Sequence, residues 1–416
     1  MKKQVYHEIA IIGGGPAGIM AAISSCANKR DVCIIEGNER IGKKLLITGD
    51  GKCNLTNHEI RDENFHSTNC GFFKSVLGQF SNEDTIKFFD KLGLTVTTLD
   101  DGRVYPVSLQ ASSVLDVLRF TLDENKVIIL MNFKVKNIKR IKNEFEINDS
   151  QGNIIKSKKV ILACGGKAAP FTGSNGSGYD IAENLGHKII YPLPSLVQLK
   201  LNFLGLKGLA GVRFYGEAEI YVDGVSKSRA RGEVLFTRFG VSGPAILKLS
   251  RIASIEFQRK RNITLKINLL PEFNKVNIEK ILENYSQSYG NRSIHNLLIG
   301  LINKGVIPIL LKDAGFENIH KPAGEVSKDQ LRKIIHRLTE WEFRVSGTLP
   351  FNDAQATAGG VDTKDVDPLT LESKIAKGLY FAGEILDVDG DSGGYNLQWA
   401  WSSGWVAGKN AGKSEK

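Results

Sequence analysis

The chain has 416 residues, of which 42% are hydrophobic and 8% aromatic, and its formal net charge is +10. These values predict a globular protein of two or three domains and exclude a disordered or fibrous chain. No stretch approaches the roughly 18 apolar residues of a membrane span, and the amino-terminal apolar run ends at glycines and Pro16, which argues against a signal peptide, so we expect a cytoplasmic protein without a membrane partner.

The cysteines and histidines show no spacing that is typical of a metal site. The five cysteines form no CxxC pair, and the seven histidines form no HxxxH or HxH pattern. A zinc site, a disulfide framework and a dithiol redox centre therefore all lack their usual spacing, and we predict no metal.

The net charge raises the question of a nucleic-acid partner. The densest basic stretches are 227–231 and 259–261, which are short polar segments without interleaved aromatic residues. We interpret them as solvated loop charges rather than a nucleic-acid surface, and an RNA-associated protein remains an alternative.

The first predicted element is a short apolar strand over 7–12, followed at once by GGGPAG and a helical pattern. Gly13, Gly15 and Gly18 fit GxGxxG in the strand–turn–helix context that gives this motif its value. The three glycines permit a sharp turn, the approach of backbone amides to a pyrophosphate, and close packing of helix on strand. Pro16 costs little in a first helical turn. This segment predicts a dinucleotide site.

A second strand over 32–35 ends in Glu36, which lies 23 residues after Gly13. A carboxylate at this place accepts a hydrogen bond from a ribose 2′-OH and repels a 2′-phosphate, so FAD or NAD is favoured. The next segment, 42–57, reads GKKLLITGDGKCNLTN. It is too broken for a helix and too polar for a buried strand, so we predict a loop shaped around a ligand.

Two later strands, 159–163 and 379–382, also run into glycines, at Gly165 and at Gly383 with Glu384. Such strand ends are where ligands bind in doubly wound folds. The segment 390–408 begins with glycines and becomes helical from about Asn396, so its first amides offer an anion site. A single dinucleotide would then be held at its phosphates by the first glycine turn and at its other end by this helix. This arrangement favours FAD over NAD.

The predicted secondary structure changes twice in the middle of the chain, from strands to helices and back to strands. Alternating runs at 217–222 and 263–269 predict strands, and the region 271–338 has helical periodicity with a capping box from Ser327 to Gln330. After Trp341 the strand and glycine character returns.

Five stretches together resemble a known family. They are GKKLLITGDGKCNLTN, DGRVYP at 101–106, ILACGGKAAPFTGSNGSGYDIAENLGH, GEVLFTRFGVSGPAIL at 232–247, and ESKIAKGLYFAGEILDVDGDSGGYNLQWAWSSGWVAG. In these stretches, in the same order, the chain is similar to the bacterial flavoproteins that include aminoacetone oxidases and a bile-acid Δ4-reductase, within the glutathione-reductase-like FAD superfamily.

The resemblance implies an α/β fold in three parts. A Rossmann-like FAD-binding domain is expected from residues 1–194 and 345–416, with an inserted β-rich, barrel-like domain from 195–270 and 339–344. A small helical domain is expected over 271–338.

The resemblance also implies a non-covalent FAD. The segment 42–57 is expected to wrap the flavin, with Thr48 and Asn54 near ring heteroatoms, and Val135 is expected to meet the adenine. The predicted FAD-binding residues are Gly13, Gly15, Pro16, Ala17, Gly18, Glu36, Gly37, Lys43, Lys44, Thr48, Gly49, Asn54, Val135, Gly165, Gly383, Glu384, Gly394, Tyr395, Asn396 and Leu397.

Three residues in the family motifs are candidate catalytic groups. They are Arg103 and Tyr105 in DGRVYP and Arg238 in LFTRFG. Arginine replaces the usual histidine of the family at 238, and it binds an anion far better than it shuttles a proton. Arg103 has an alternative role as the partner of an acidic residue at a domain seam. Cys53 and Cys164 are interpreted as small packed residues.

No second strand–GxGxxG–helix unit is present, so a separate nicotinamide-binding domain is not expected. NADH or NADPH should therefore bind only transiently beside the flavin as electron donor. Two enzyme activities fit: reduction of an activated C=C bond in a small-molecule substrate, or oxidation of a small amine such as aminoacetone by O2 with release of H2O2. We favour the reductase, because a large inserted domain can shelter a bulky substrate. The oligomeric state is left open.

Overall fold

The computed structural model describes residues 5–28 and 30–414. The chain divides into two compact units. The first unit combines the described residues up to Pro194 with those from Ala354 onwards, and the second unit covers Ser195–Asp353. The boundaries that we predict for three separate domains stay a prediction.

The strands are β1 (Val5–Ile12), β2 (Val32–Ile35), β3 (Thr56–Asn57), β4 (Phe65–His66), β5 (Val96–Thr98), β6 (Arg103–Pro106), β7 (Ile128–Leu130), β8 (Val135–Ile141), β9 (Glu144–Asp149), β10 (Ile154–Leu162), β11 (Ile189–Ser195), β12 (Leu199–Asn202), β13 (Arg213–Val222), β14 (Val225–Phe236), β15 (Gly240–Ser242), β16 (Ile263–Asn268), β17 (Trp341–Thr348), β18 (Ala356–Val361), β19 (Leu379–Phe381) and β20 (Asp389–Gly390). The helices are α1 (Pro16–Ser25), α2 (Lys43–Ile47), α3 (Phe72–Leu77), α4 (Asn82–Lys91), α5 (Ala111–Glu124), α6 (Ser177–Asn184), α7 (Leu206–Leu209), α8 (Pro244–Gln258), α9 (Lys275–Ser288), α10 (Ile294–Leu298), α11 (Ile307–Asp313), α12 (Lys328–Thr339) and α13 (Tyr395–Ala411).

The first unit is built on a sheet with the strand order β7-β2-β1-β10-β9-β8, and β19 pairs with β10 beside this path. Strands β7, β2, β1, β10 and β19 run parallel, whereas β9 pairs antiparallel with β10 and β8. Strand β2 and the carboxyl-terminal halves of β1 and β10 are largely apolar and buried, as expected when both faces of a sheet are covered. Their carboxyl ends meet at one edge, which places Gly13, Glu36, Gly165 and Gly383 together.

The last helix of the chain packs closely on the first. A Cβ atom added to Gly404 would lie 2.4 Å from the Ala17 carbonyl oxygen, and one added to Gly408 would lie 2.2 Å from the Ala21 oxygen. The Ser25 hydroxyl also donates to the Gly408 carbonyl at 3.0 Å. Because the missing side chains let the two backbones approach, the start of α13 lies beside the turn that precedes α1.

Our prediction that 42–57 holds no helix was wrong. Residues Lys43–Ile47 form the short helix α2, which follows Gly42 in a left-handed conformation (φ 75°). Leu45 is fully buried and Leu46 packs against the same core. An isolated five-residue helix is not stable in water, so tertiary burial of these leucines decides the local structure here.

The second unit contains a closed barrel with the strand order β12-β15-β14-β13-β16-β17. Asp223 and Gly224 both have positive φ (47° and 81°) between β13 and β14, which matches a tight two-residue hairpin turn. The strands predicted at 217–222 and 263–269 are confirmed as β13 and β16, and the capping box from Ser327 to Gln330 is confirmed at the start of α12. Helices α9–α12 share one hydrophobic cluster with the barrel.

The basic residues near 229 lie on a strand, so our interpretation of them as loop charges was wrong. Arg229 and Arg231 belong to β14 and form ion pairs with Glu217 and Glu219 on the neighbouring strand β13. The stretch at 259–261 is paired as well, with Arg259 on Glu256 and Arg261 on Asp223. Facing strands carry charges of opposite sign here.

Within the described ranges, none of the helices combines the length and the apolar character that crossing a membrane requires.

Candidate functional site

A cavity of about 560 Å³ opens at the carboxyl edge of the sheet in the first unit. Its volume falls in the usual range of ligand pockets, roughly 300–1,000 Å³. The predicted FAD residues that line it are Gly13, Gly15, Pro16, Ala17, Glu36, Gly37, Lys43, Lys44, Thr48, Val135, Gly165, Gly383, Glu384, Asn396 and Leu397. The structure therefore brings residues from both ends of the chain to one cavity, and their binding of FAD stays a prediction.

The glycines of the first turn have different surroundings. Gly13 adopts φ 109°, and its amide donates to the Ile35 carbonyl at 2.9 Å. A Cβ atom on Gly18 would lie 1.9 Å from the Gly13 carbonyl oxygen, whereas one on Gly15 would meet no atom within 4 Å. Gly18 therefore allows the chain to pack closely against Gly13. Gly15 leaves the backbone beside it accessible from the cavity.

Glu36 is held in one orientation at the cavity wall. Its Oε2 accepts from the Gly14 amide at 2.8 Å. Its Oε1 accepts from the Asn38 backbone amide and from Asn38 Nδ2, both at 2.8 Å. Our sequence reasoning found Glu36 and missed Asn38, although an asparagine two residues after the acidic residue is a local signal for such a turn.

Two of the predicted FAD residues contact each other. Lys44 Nζ lies 2.6 Å from Glu384 Oε2, and the two side chains are 22% and 18% exposed. Glu384 Oε1 accepts from the Thr357 amide at 2.7 Å. This ion pair connects α2 with the segment after β19 across the lining of the cavity.

Helix α13 presents its first turn to the cavity through Asn396 and Leu397. The Asn396 side chain closes the preceding loop, because its oxygen accepts from the Gly390 amide at 2.9 Å and its nitrogen donates to the Gly390 carbonyl at 2.7 Å. Gly394 caps the helix with φ 101°. Such an amino-terminal turn carries free amides and a partial positive charge, so it suits an anionic group.

Five predicted FAD residues are not among those that line the cavity: Gly18, Gly49, Asn54, Gly394 and Tyr395. The Asn54 amide, oriented to satisfy both neighbours, donates to the Thr56 carbonyl and accepts from the Gly394 amide, each at 3.0 Å. Tyr395 is buried and donates to the Glu59 carbonyl at 3.2 Å. Asn54 and Tyr395 therefore support the loop that leads into α13.

Arg103 and Tyr105 lie together on β6 and are not among the residues that line the cavity. Arg103 Nε pairs with Asp101 Oδ2 at 2.6 Å, and its Nη1 donates to the Tyr105 hydroxyl at 3.3 Å. Tyr105 is 5% exposed, and its ring edge lies 3.2 Å from where a Cβ of Gly49 would be. Burial raises the pKa of Tyr105, so its phenol stays protonated at neutral pH.

Arg238 is exposed in the turn between β14 and β15 of the second unit. It is not among the residues that line the cavity of the first unit.

The two cysteines near the site are inert. Burial raises the pKa of Cys53 and of Cys164 to about 12 in each case. Both stay thiols at physiological pH, and a thiol is a poor nucleophile and metal ligand. In the part of the chain that the structure describes, no group of three or more His, Cys, Asp or Glu side chains could hold a metal ion.

Several other residues of the lining are not among the predicted FAD residues, although Gly42 belongs to the segment that we expected to wrap the flavin. They are Ile12, Gly14, Ile35, Asn38, Arg40, Gly42, Phe133, Lys134, Ala163, Cys164, Pro170, Thr172, Gly173, Ser174, Asn175, Ser177, Ile181, Gln355, Ala382, Trp399 and Ala400. The segment 170–175 is the main omission. It follows a strand that ends in glycine, which was the available signal, but it lacks the spacing of a dinucleotide motif.

Comparison with known proteins relates the whole chain to one family. Residues 7–410 match the HI0933-like protein Rossmann domain. The chain is 37% identical over 407 residues to a 3-dehydro-bile acid delta(4,6)-reductase of Clostridium scindens, covering 97% of this chain and 99% of that protein. It is 31% identical over 409 residues to a ribosomal RNA dihydrouridine synthase of Haemophilus influenzae, covering 96% of this chain and 97% of that protein.

A solved structure shares the fold. It is described as quinol-fumarate reductase with menaquinol molecules, and it superimposes with a TM-score of 0.50 at 15% identity, covering 99% of this chain and 71% of that one.

Proposed function

The chain belongs to the HI0933-like family of Rossmann-domain proteins and is an FAD-dependent oxidoreductase, and we propose that it reduces an activated C=C bond in a small organic substrate with electrons from NADH or NADPH. The observation that carries this proposal is the cavity that joins the first glycine turn, Glu36 and the start of α13. The identity of 37% with a bile-acid reductase over nearly the whole chain supports the reaction class.

The residues of the cavity fit FAD. The open backbone at Gly15 and the start of α1 suit a pyrophosphate, and Glu36 suits a ribose hydroxyl. Lys43 supplies positive charge at the lining, and the start of α13 would stabilise the negative charge of a reduced flavin. When bound, FAD supplies hydride transfer at its N5 atom.

Reduction of an activated C=C bond also needs a proton. Tyr105 is the candidate donor, because burial keeps its phenol protonated and Arg103 orients its hydroxyl at 3.3 Å.

The electron donor is tested by anaerobic mixing of the purified protein with NADH or NADPH. Bleaching of the flavin absorbance near about 450 nm, followed by reoxidation with an enone such as a 3-oxo-Δ4 steroid, is the expected result. No bleaching with either nucleotide would contradict the proposed donor. A colourless protein that refuses added FAD would contradict the whole assignment.

The oxidase alternative makes a different prediction. An amine oxidase would release H2O2 with aminoacetone and O2 and would need no pyridine nucleotide. We expect no peroxide above the background of slow flavin reoxidation.

A uridine base in ribosomal RNA is the second candidate substrate. The relative named ribosomal RNA dihydrouridine synthase favours it, since dihydrouridine is uridine with one C=C bond reduced. The ion pairs of Arg229, Arg231, Arg259 and Arg261 argue against it, because they offset much of the positive charge in the basic stretches that suggested RNA. Fluorescence anisotropy with an rRNA fragment distinguishes an RNA substrate from a small organic substrate, because an RNA substrate requires salt-dependent binding.

A further inference from the structure

Asn38 connects three parts of the cavity wall. It lies just after β2 and lines the cavity. Its Nδ2 donates to Glu36 Oε1 at 2.8 Å and to the Thr172 carbonyl at 3.2 Å, and its Oδ1 lies 3.5 Å from Lys43 Nζ. The amide nitrogen of Asn38 therefore has two acceptors, and both belong to residues that line the cavity.

The segment that Asn38 reaches, 170–175, contributes much of the lining: Pro170, Thr172, Gly173, Ser174 and Asn175. On its own side it is tied to the end of β10, because the Ser174 hydroxyl donates to the Gly166 carbonyl at 3.1 Å. On the other side Asn38 lies directly against it, since a Cβ on Gly173 would be 2.4 Å from Asn38 Nδ2. Asn38 thus joins the segment to the strand that carries Glu36.

We propose that Asn38 is a positioning residue that fastens segment 170–175 over the adenosine end of bound FAD and fixes Glu36 for the ribose. A carboxylate has about four acceptor positions. Three protein donors occupy Glu36, two of them from Asn38. An acceptor position thus remains for a ribose hydroxyl, in an orientation that the protein has set in advance. Asn38 then determines the rate at which FAD dissociates from the protein.

The test compares Asn38→Ala with Asn125→Ala as the matched control. Asn125 also donates its amide to a carbonyl, that of Thr121 at 2.7 Å, but it lies outside the cavity. FAD release from each holoprotein is followed by flavin fluorescence after dilution, and FAD affinity by titration of each apoprotein. We expect Asn38→Ala to release FAD about tenfold faster, as the loss of a hydrogen bond to a charged group predicts. The control should match the wild type.

Two further measurements separate positioning from a general loss of stability. Hydrogen exchange of the backbone amides in 170–175 should rise in the Asn38→Ala holoprotein and not in the control, while the Tm of the two apoproteins stays equal. Asn38→Asp keeps the shape but loses both side-chain N–H groups and places a carboxylate beside Glu36, so its release should be at least as fast as that of Asn38→Ala.

Release at the wild-type rate in Asn38→Ala, or unchanged exchange in 170–175, would overturn the inference. A lower apoprotein Tm for Asn38→Ala than for the control would also overturn it. The inference rests on FAD as the cofactor, so failure of the wild type itself to bind FAD refutes the proposed function instead.

Discussion

The cavity of the first unit and the barrel core of the second unit use side-chain volume in opposite ways. The first unit places glycines where parallel strands end, and a cavity of about 560 Å³ results. The second unit fills its core with aromatic rings, with centroid distances of 5.0 Å between Trp341 and Phe343 and 6.1 Å between Trp341 and Phe236. Missing side chains expose backbone amides to a ligand, whereas packed rings bury apolar area. Stability and binding should therefore respond to different substitutions in the two units.

The largest effect is expected at Gly18, where one added side chain should damage both stability and binding. A Cβ there would lie 1.9 Å from the Gly13 carbonyl oxygen. Gly18→Val should therefore lose more than about 4 kcal/mol of unfolding free energy and all bound FAD. Urea denaturation and flavin absorbance measure both effects.

Gly15→Ala is the control, because a Cβ at Gly15 meets no atom within 4 Å. It should keep its stability to within about 0.5 kcal/mol while its FAD affinity falls. Loss of stability in both variants would contradict the separate roles of the two glycines.

In the second unit, Trp341→Ala should lower the unfolding free energy by about 3–5 kcal/mol. The substitution leaves a large gap between Phe236 and Phe343, and it removes the hydrogen bond from the indole to Asp313 Oδ2 at 3.0 Å. The FAD spectrum of the folded fraction should not change. Trp341→Phe is the milder control, and a loss as large as that of alanine would argue against a packing role.

The Tyr105→Phe substitution tests the proton-transfer step rather than the packing of the core. It should keep FAD and the rate of bleaching by pyridine nucleotide, while reduction of the C=C substrate slows by about 100-fold. Because burial raises the pKa of Tyr105, the wild-type rate should not fall through loss of this proton below pH about 10. Stopped-flow oxidation of the reduced flavin by the enone measures this step, and equal rates would exclude Tyr105 as the acid.

The thiols of Cys53 and Cys164 should have a smaller, pH-dependent effect on the unfolding free energy. Burial raises the pKa of Cys53 and Cys164 to about 12, whereas an unfolded thiol ionises near about 8.5. The unfolded state therefore releases these protons first, and the unfolding free energy should fall as pH rises from about 8.5 towards 12. Alkylation at pH about 8 should modify exposed Cys70 and spare buried Cys53, as read by mass spectrometry.

The smallest effect is expected for the charged strand of the barrel. Arg231 is half exposed and pairs with Glu217 at 2.7 Å. Arg231→Ala should lower the unfolding free energy only slightly, because exposed ion pairs contribute little. Thermal denaturation at low and high salt measures it, and a larger, salt-independent loss would show that packing of the arginine matters more than its charge.

Local sequence patterns predict much of the site. The turn at Gly13, the acidic end of β2 at Glu36 and the glycine-led helix α13 each carry their signal within a few residues, and the structure places all three at one cavity. Their geometry follows from backbone freedom and hydrogen bonding within a single element, which sequence spacing records.

The remaining features depend on contacts between distant residues. Helix α2 forms because Leu45 is buried, Lys44 meets Glu384 from the other end of the chain, and Asn38 reaches Thr172. The amino-acid pattern alone specifies strands β1, β2, β13 and β16, helices α1 and α13, and the strand ends that carry glycine. Tertiary packing selects which side chains meet across the cavity, because those pairings depend on how separate elements pack and on no pattern within either one.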